Sequence, residues 1–195
     1  MKPTIAHGCG CAHKAEKPTE ILSDEHRVIE RVLSALEKLT RLPVSGSVEH
    51  WQKALEFFRH FADQCHHFKE EEVLFPAMET HGIPSEGGPI GMMLAEHEEG
   101  RAHVKFMSAA VEQFATGSTA SEESLLSHAR AYLILLREHI QKEDDILFRM
   151  ADEVITQDEQ RQLLRRFEEH EAEAMGAGAH EKYLKIAEEL EAKMA

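Results

Sequence analysis

The 195-residue sequence has no run of about 18 consecutive apolar residues, so it predicts no membrane-spanning helix. Its first residues also lack an apolar segment, and we expect no secretory signal peptide. Only three cysteines are present, which favours a reducing, cytoplasmic location without structural disulfides. Glycine and proline are few and clustered, and no alternation typical of β-strands occurs. These absences together predict an all-helical protein.

Basic residues are scarce as well. The chain has 22 Lys and Arg against 36 Asp and Glu, which gives a net charge of -14. Nucleic acids and anionic membrane surfaces attract basic faces, so we expect neither as a partner. An acidic surface instead attracts small cations. Histidine is abundant at 14 residues, and this is the feature of the composition that points most directly to metal.

Apolar residues recur at helical spacing in four long stretches joined by short loops. This pattern predicts an antiparallel up-down-up-down four-helix bundle with additional C-terminal helices. Thr156 with Glu159 is a capping box that opens the first of these additional helices. We therefore predict a flexible tail at 1–18, the bundle at 19–155 and a helical extension at 156–195.

The second predicted helix carries adjacent histidines followed by charged residues, "HHFKEEEVLFP". On a wheel at about 100° per residue, its phenylalanines define the core direction. His67 and Glu71 then share one face at the edge of the core. His66 and Glu70 fall on the opposite side, where we expect them to face water.

The other three helices each place one histidine on an apolar stripe. A single such histidine, or a single His/Glu pair, is usually an ordinary boundary or surface feature. Several together are different, because burying them unpaired costs several kcal/mol per charged group, and a bound metal removes that cost. Imidazole with carboxylate suits iron, and the set exceeds the needs of one tetrahedral zinc. The predicted metal ligands are His26, His67, Glu71, His97, His139 and Glu143.

The motifs "SDEH", "HHFKEEEVLFP", "LAEHEEGR" and "REHIQKEDDILF" occur in this order, each on its own predicted helix. In order and spacing they resemble the hemerythrin-like (HHE cation-binding) family over roughly residues 20–153. The resemblance implies a non-haem di-iron centre, two Fe ions with an oxo or hydroxo bridge, inside a four-helix bundle. It also implies the six ligands that the helical wheel selects.

The sequence departs from the classical oxygen carriers of that family. They have a second histidine one turn after the ligand of helix 3, where this chain has Arg101. They use an aspartate five residues after the last histidine, whereas here Glu143 at four residues is better placed and Asp144 is the fallback. Four histidines, two bridging glutamates and an oxo or hydroxo bridge leave about two of about twelve coordination positions open to an external ligand. His60 and Tyr132 either line these positions or lie at the core boundary. Arg101 is either a hydrogen-bonding residue beside the metal or part of a surface ion pair.

These expectations describe a non-haem di-iron protein that binds or reacts with O2, peroxide or nitric oxide, for sensing, detoxification or storage. The ligand set leaves open whether the protein is an enzyme. The alternative is an iron-handling or iron–sulfur cluster repair protein that donates labile iron, with Cys9 and Cys11 of the tail engaging metal or a client protein. A third interpretation is a metal-free interaction bundle, in which replacing His67 would barely change stability.

Overall fold

The computed structural model describes residues 16–116, 122–176 and 178–194, so Cys9 and Cys11 lie outside the described residues. The described residues form helices and no strand, which confirms the all-helical prediction. No helix in these ranges is both long and apolar enough to cross a membrane. A short 3-10 turn, Val44–Gly46, accompanies six helices: α1 (Pro18–Leu39), α2 (48–80), α3 (Pro89–Ala115), α4 (122–154), α5 (157–175) and α6 (Ala179–Lys193).

Local sequence signals set several helix ends. Pro18 and Pro89 occupy the first turns of α1 and α3, where a missing backbone N–H leaves no acceptor unpaired. Gly82 follows α2 with a φ of 86°, a conformation that glycine adopts without strain. The predicted capping box is confirmed, because Thr156 Oγ accepts from the Glu159 N–H and the Glu159 carboxylate accepts from the Thr156 N–H.

Three of the helices contain π-helical segments, whose hydrogen bonds join residue i to residue i+5. In α2 the segments Phe58–His67 and Glu70–Leu74 lie between α-helical ends. In α4 the segment is Glu143–Leu147, and α5 ends with Glu171–Met175. The π segments of α2 and α4 coincide with the histidine- and glutamate-rich motifs, and such irregular turns are frequent at functional sites.

The first four helices contact one another in a ring, in which α1 and α3 each contact both α2 and α4. The C-terminal helices α5 and α6 pack against α1 and α2. They bury apolar side chains in the same interior, including Phe167 from α5 and Leu190 from α6. The division of the chain at residue 155 stays a prediction.

The interior has two apolar clusters with a polar layer between them. On α1, for example, Leu22 belongs to one cluster and Ile29 to the other, and the buried Glu25 and His26 lie between them. The same succession occurs on α2, α3 and α4. The buried side chains of the polar layer are Glu25, His26, His66, His67, Lys69, Glu70, His97, His139 and Glu143.

Candidate metal centre

The histidine-rich turn of α2 faces a different way from the prediction. His66 and Glu70 were expected to face water, and this is wrong, because their exposed fractions are 1% and 0%. His67 is also buried, so both histidines lie in the polar layer. The side chain of Glu71 is 21% exposed and lies at the edge of the layer.

The winding of α2 explains this error. From residue 58 to residue 74, buried positions recur every four residues in two rows. In a regular α-helix, with about 3.6 residues per turn, positions four residues apart drift progressively around the helix axis. The π turns are wider and hold more residues, so both rows stay on the inward side of α2. The first row is Phe58, Ala62, His66, Glu70 and Leu74, and the second is Phe61, Cys65, Lys69 and Val73. The wheel was wrong because it assumed α-helical winding throughout.

Two sets of side chains converge inside the polar layer. Within each set, one nitrogen or oxygen atom per residue lies within 4.8 Å of the corresponding atoms of the others. The three-histidine group consists of His67, His97 and His139 with Glu70. The two-histidine group consists of His26 and His66 with Glu70 and Glu143. Each set has the donor types and the spacing that could hold one metal ion.

Glu70 and Glu143 connect the two groups. One oxygen of Glu70 lies 3.4 Å from His66 Nε2, and its other oxygen lies 3.4 Å from His97 Nε2. Glu143 Oε2 lies 3.2 Å from His26 Nε2 and 3.3 Å from the Nε2 atom of His139. Each carboxylate therefore reaches imidazoles of both groups, as a carboxylate bridging two ions would.

The outer nitrogens of four histidines face carboxylates. The Nδ1···O distances are 3.0 Å for His26–Asp144, 3.0 Å for His66–Glu25, 2.6 Å for His97–Glu71 and 2.9 Å for His139–Glu96. When such a carboxylate accepts the Nδ1–H, the lone pair of Nε2 is directed into the pocket that the two histidine groups line. Metal-ligating histidines characteristically have this outer partner, which fixes the tautomer and the ring orientation.

Cationic side chains stand behind three of these outer carboxylates. Arg101 donates to Glu71 at 2.6 Å and to Asp63 at 2.8 Å. Lys142 donates to Glu96, and Lys69 donates to Glu25. The exception is Asp144, which accepts a hydrogen bond of 2.7 Å from the hydroxyl of Ser23. Most of the pocket is thus surrounded by a second layer of paired charges.

The pocket contains polar atoms that no protein group satisfies. Seven buried side-chain nitrogen and oxygen atoms among the described residues lack a hydrogen-bond partner, and all but Trp51 Nε1 belong to this pocket. They are His26 Nε2, His67 Nδ1 and both carboxylate oxygens of Glu70 and Glu143. Leaving such groups unpaired costs about 1–3 kcal/mol each, and more for charged groups. His67 Nδ1 lies 3.4 Å from Asp63 Oδ1, but the other five atoms face the two histidine groups. Cations held by those five atoms would remove that cost, so the donor set fits a metal centre.

The protonation of the pocket also reflects a need for positive charge. Burial lowers the pKa of His26, but the neighbouring carboxylates of Asp144 and Glu143 outweigh burial and raise it to about 10. Burial is likewise outweighed at His97 by Glu70 and Glu71, which raise its pKa to about 9. Burial and the neighbouring histidines hold the pKa of His67 well below its ordinary value. Protons on the imidazoles thus balance the buried carboxylates, and bound cations would replace those protons.

The structure places the other predicted residues as follows. Glu71 lies in neither group and instead accepts from His97 Nδ1 and Arg101. His60 is outside the pocket, where its Nδ1 lies 2.7 Å from Gln64 Oε1. Arg101 lies beside the pocket, in ion pairs with three carboxylates. Asp144, the fallback ligand, contacts the outer nitrogen of His26.

A cleft of about 410 Å³ reaches the three-histidine group from outside. His67 and Arg101 line it on one side, and Tyr132, the remaining predicted residue, lines it with Phe58 and Gly100. Tyr132 is 3% exposed and packs edge-to-face on Phe58 at 5.0 Å between ring centroids. The cleft gives small molecules a route towards His67.

Comparisons with known proteins agree with this geometry. The chain is 24% identical over 160 residues to uncharacterized proteins of Mycobacterium bovis and Mycobacterium tuberculosis, which covers 80% of this chain. The chain spans 62% of the length of these curated relatives. No solved structure matches it. The sequence model of one protein family, the hemerythrin HHE cation binding domain, matches residues 17–151, which include both histidine groups. A match over this much of the chain, at residues whose buried donors fit metal ions, makes the protein a member of the hemerythrin HHE cation-binding family.

Proposed function

We propose that the polar layer binds two iron ions and that the protein binds or reacts with O2, peroxide or nitric oxide. One observation carries the proposal: two groups of buried imidazoles share glutamates whose four carboxylate oxygens have no hydrogen-bond partner. We also propose that α1 to α4 form the antiparallel up-down-up-down four-helix bundle. In that arrangement the ring of helices holds the ions at the level of the polar layer.

The proposed ligands differ from those that the sequence predicts. His66 and Glu70 join the set, and Glu71 moves to an outer role. His66 becomes a fifth histidine, supplied by α2, in a chain that has Arg101 at the position of the oxygen carriers' fifth histidine. The full proposed set is His26, His66, His67, Glu70, His97, His139 and Glu143.

The fifth histidine changes the number of open positions. Five imidazole nitrogens and four carboxylate oxygens occupy nine of about twelve positions around two ions. A bridging oxygen occupies two more, which leaves about one position for a small external molecule. The expectation from four histidines was about two. The additional histidine thus favours reversible binding more than the sequence alone suggests.

The surrounding side chains have separate tasks in this proposal. Phe148 stacks on His26 at 5.4 Å between ring centroids, and Phe75 lies 6.1 Å from His97, so apolar rings flank the pocket. The outer carboxylates hold the imidazoles in one tautomer. The cleft beside His67 admits a small ligand. A bound iron pair would supply the electrons and the open coordination position that these residues cannot supply.

The first experiment is to purify the full chain from iron-replete cells without a metal-binding tag. Iron per chain is measured together with the near-ultraviolet and visible spectrum, before and after the reduced protein meets O2 or peroxide. About two irons per chain and bands that change on reaction would support the proposal. No iron, or a single zinc, would overturn it.

Iron retention separates the alternative function. A ligand set in which buried side chains fill most of the positions around two ions predicts slow loss of iron to a chelator. Rapid and complete loss of iron to the chelator, with no reaction of the reduced protein with O2 or peroxide, would favour a protein that donates labile iron. The cytoplasmic location and the absence of nucleic-acid and membrane partners remain predictions from the sequence.

A further inference from the structure

The polar layer contains a lysine that the metal proposal does not use. Lys69 has an exposed fraction of 0%, and its ammonium lies 5.6 Å from the centre of the Phe167 ring. Removing an ammonium from water costs several kcal/mol unless it is paired and hydrogen-bonded. Lys69 meets this requirement with two carboxylates, Glu25 on one side and Glu171 on the other.

Glu25 connects this lysine to the two-histidine group. Its exposed fraction is 3%, and one of its oxygens accepts from Lys69. Its other oxygen lies 3.0 Å from His66 Nδ1. A carboxylate held by a cation on one oxygen can offer the second only in a fixed direction, which orients the imidazole ring. The Nε2 atom of His66 then points at Glu70, 3.4 Å away.

Glu171 belongs to a part of the chain outside the family match, which ends at residue 151. Several contacts fix α5 over the outer side of this turn of α2. His170 Nε2 donates to the carbonyl of Gln64 at 2.8 Å and its ring stacks on Phe68 at 3.5 Å between centroids. Arg166 donates to the carbonyl of Glu72 at 2.7 Å. These contacts bracket residues 66–70 and bring Glu171 to Lys69.

We propose that the C-terminal helix α5 completes the metal centre, because Glu171 of α5 and Lys69 are positioning residues that hold Glu25 against His66. The inference rests on the proposed function and deepens it: the two-histidine group depends on a segment that the family domain does not contain. The outer cations of the three-histidine group, Arg101 and Lys142, come instead from α3 and α4.

A competing interpretation is that Glu25 and Glu171, with His180, form a third metal site, because their ligand atoms lie within 4.8 Å of one another. The ammonium of Lys69 argues against it. It contacts both carboxylates at once and supplies the positive charge that an ion there would supply. The cluster is therefore an ammonium site that links three helices, α1, α2 and α5.

The test uses full-length chains carrying Glu171→Gln, Lys69→Met or, as a matched control, Glu189→Gln. Glu189 of α6 pairs with Lys53 of α2 at 3.1 Å, so the control removes an ion pair between a C-terminal helix and α2 without touching His66. Co²⁺ added to metal-free protein, followed by its visible bands, reports two binding steps. Imidazole ¹⁵N shifts of metal-free protein report the tautomer of His66.

We expect Glu171→Gln to weaken one of the two Co²⁺ steps by up to about tenfold, because losing the direct outer partner of a ligand costs about 10–100-fold and Glu171 acts on His66 through Lys69 and Glu25. Lys69→Met should weaken the same step further, and both variants should lose the single Nδ1–H tautomer of His66 before any metal is added. Glu189→Gln should show the same two Co²⁺ binding steps and the same His66 tautomer as the parent protein. If both Co²⁺ steps and the tautomer stay unchanged in Glu171→Gln and Lys69→Met, the inference is overturned. If the parent binds no Co²⁺, the proposed function fails, and the tautomer still tests the inference.

Discussion

The two histidine groups share glutamates but lie in different surroundings. The three-histidine group borders a cleft, and its outer cations Arg101 and Lys142 are about one-third exposed. The two-histidine group is backed by Lys69, which is fully buried beneath α5. One group therefore has a cleft beside one of its imidazoles, whereas the other has a buried ammonium behind one of its outer carboxylates.

Replacing the shared carboxylate should have the largest effect. Glu70→Gln should reduce the metal content from about two ions per chain to nearly none, because Glu70 belongs to both groups. The metal-free variant should unfold at a lower temperature than the metal-free parent, because it loses the carboxylate that faces His66 and His97 and helps to raise the pKa of His97. Metal analysis and calorimetry check both parts. Glu72→Gln is the control, because Glu72 is the exposed residue two positions away; equal metal loss in the control would refute the assignment.

Single histidine variants should divide the groups. His66→Ala should leave about one ion, bound by the three-histidine group, whereas the wheel prediction of a surface residue expects no loss. His67→Ala should weaken the other ion and keep the one that His26 and His66 hold. His60→Ala is the control from the same helix, because His60 lies outside the pocket. Metal content by mass spectrometry measures all three variants, and full occupancy in His66→Ala would refute the inward placement.

Removing the exposed outer cation should affect one group moderately. Arg101→Met frees Glu71 and Asp63 from their ion pairs beside His97 and His67. We expect about a tenfold to hundredfold loss of metal affinity in the three-histidine group alone. Titration with Co²⁺ measures this. Arg101→Met should weaken one of the two binding steps, and it should be the step that Lys69→Met leaves unchanged. Loss of the same step in both variants would contradict the separation of the groups.

Narrowing the cleft should change a rate without changing metal content. Gly100 lines the cleft, and an added Cβ would meet only Tyr132 Cε2, at 3.5 Å, so Gly100→Ala should be tolerated. Gly100→Leu extends further into the cleft, and we expect the reduced protein to react with peroxide about tenfold more slowly, a barrier increase of about 1.4 kcal/mol. Stopped-flow absorbance measures the rate of reaction with peroxide for Gly100→Ala and Gly100→Leu at the same iron content per chain. Equal rates for the two variants would place the entrance elsewhere.

Acid should reduce the stability that the buried Glu25, behind the two-histidine group, contributes to the fold. Burial raises the pKa of Glu25, but Lys69 and His66 outweigh burial and lower it from 4.5 to about 2. The folded state therefore binds fewer protons than the unfolded chain between these values, and the stability that Glu25 contributes is lost as the pH falls from 4.5 towards 2. In metal-free protein, Glu25→Gln should reduce the slope of unfolding free energy against pH by up to about 1.4 kcal/mol per unit. Urea unfolding across this range measures it, with Asp24→Asn, which is 74% exposed, as the control whose slope should not change.

The sequence predicted the parts of this protein that follow from α-helical periodicity. The capping box at Thr156 and the inward histidines His26, His97 and His139 follow from local α-helical patterns in the sequence. The placement of His66 and Glu70 failed because π winding changes the face that each residue presents. The doubled histidine and the four-residue spacing of Ala62, His66 and Glu70 were signals that a four-residue period would have detected.

Other site features had no local signal. Lys69 reads as a surface residue within a charged run, and its burial depends on Glu171, which lies far along the chain. Glu25 similarly reads as the exposed neighbour of a predicted ligand. Contacts between distant helices decide the positions of such residues, and the periodicity of a single helix does not contain that information.

The polar layer between the two apolar clusters has a consequence for how the helices align. If one helix slid along its neighbours by a single turn, about 5.4 Å, its buried charges would enter an apolar cluster and lose their partners. Apolar clusters alone tolerate such shifts far better, since one aliphatic contact resembles the next. The layer therefore acts as a register mark that permits one vertical alignment of the helices.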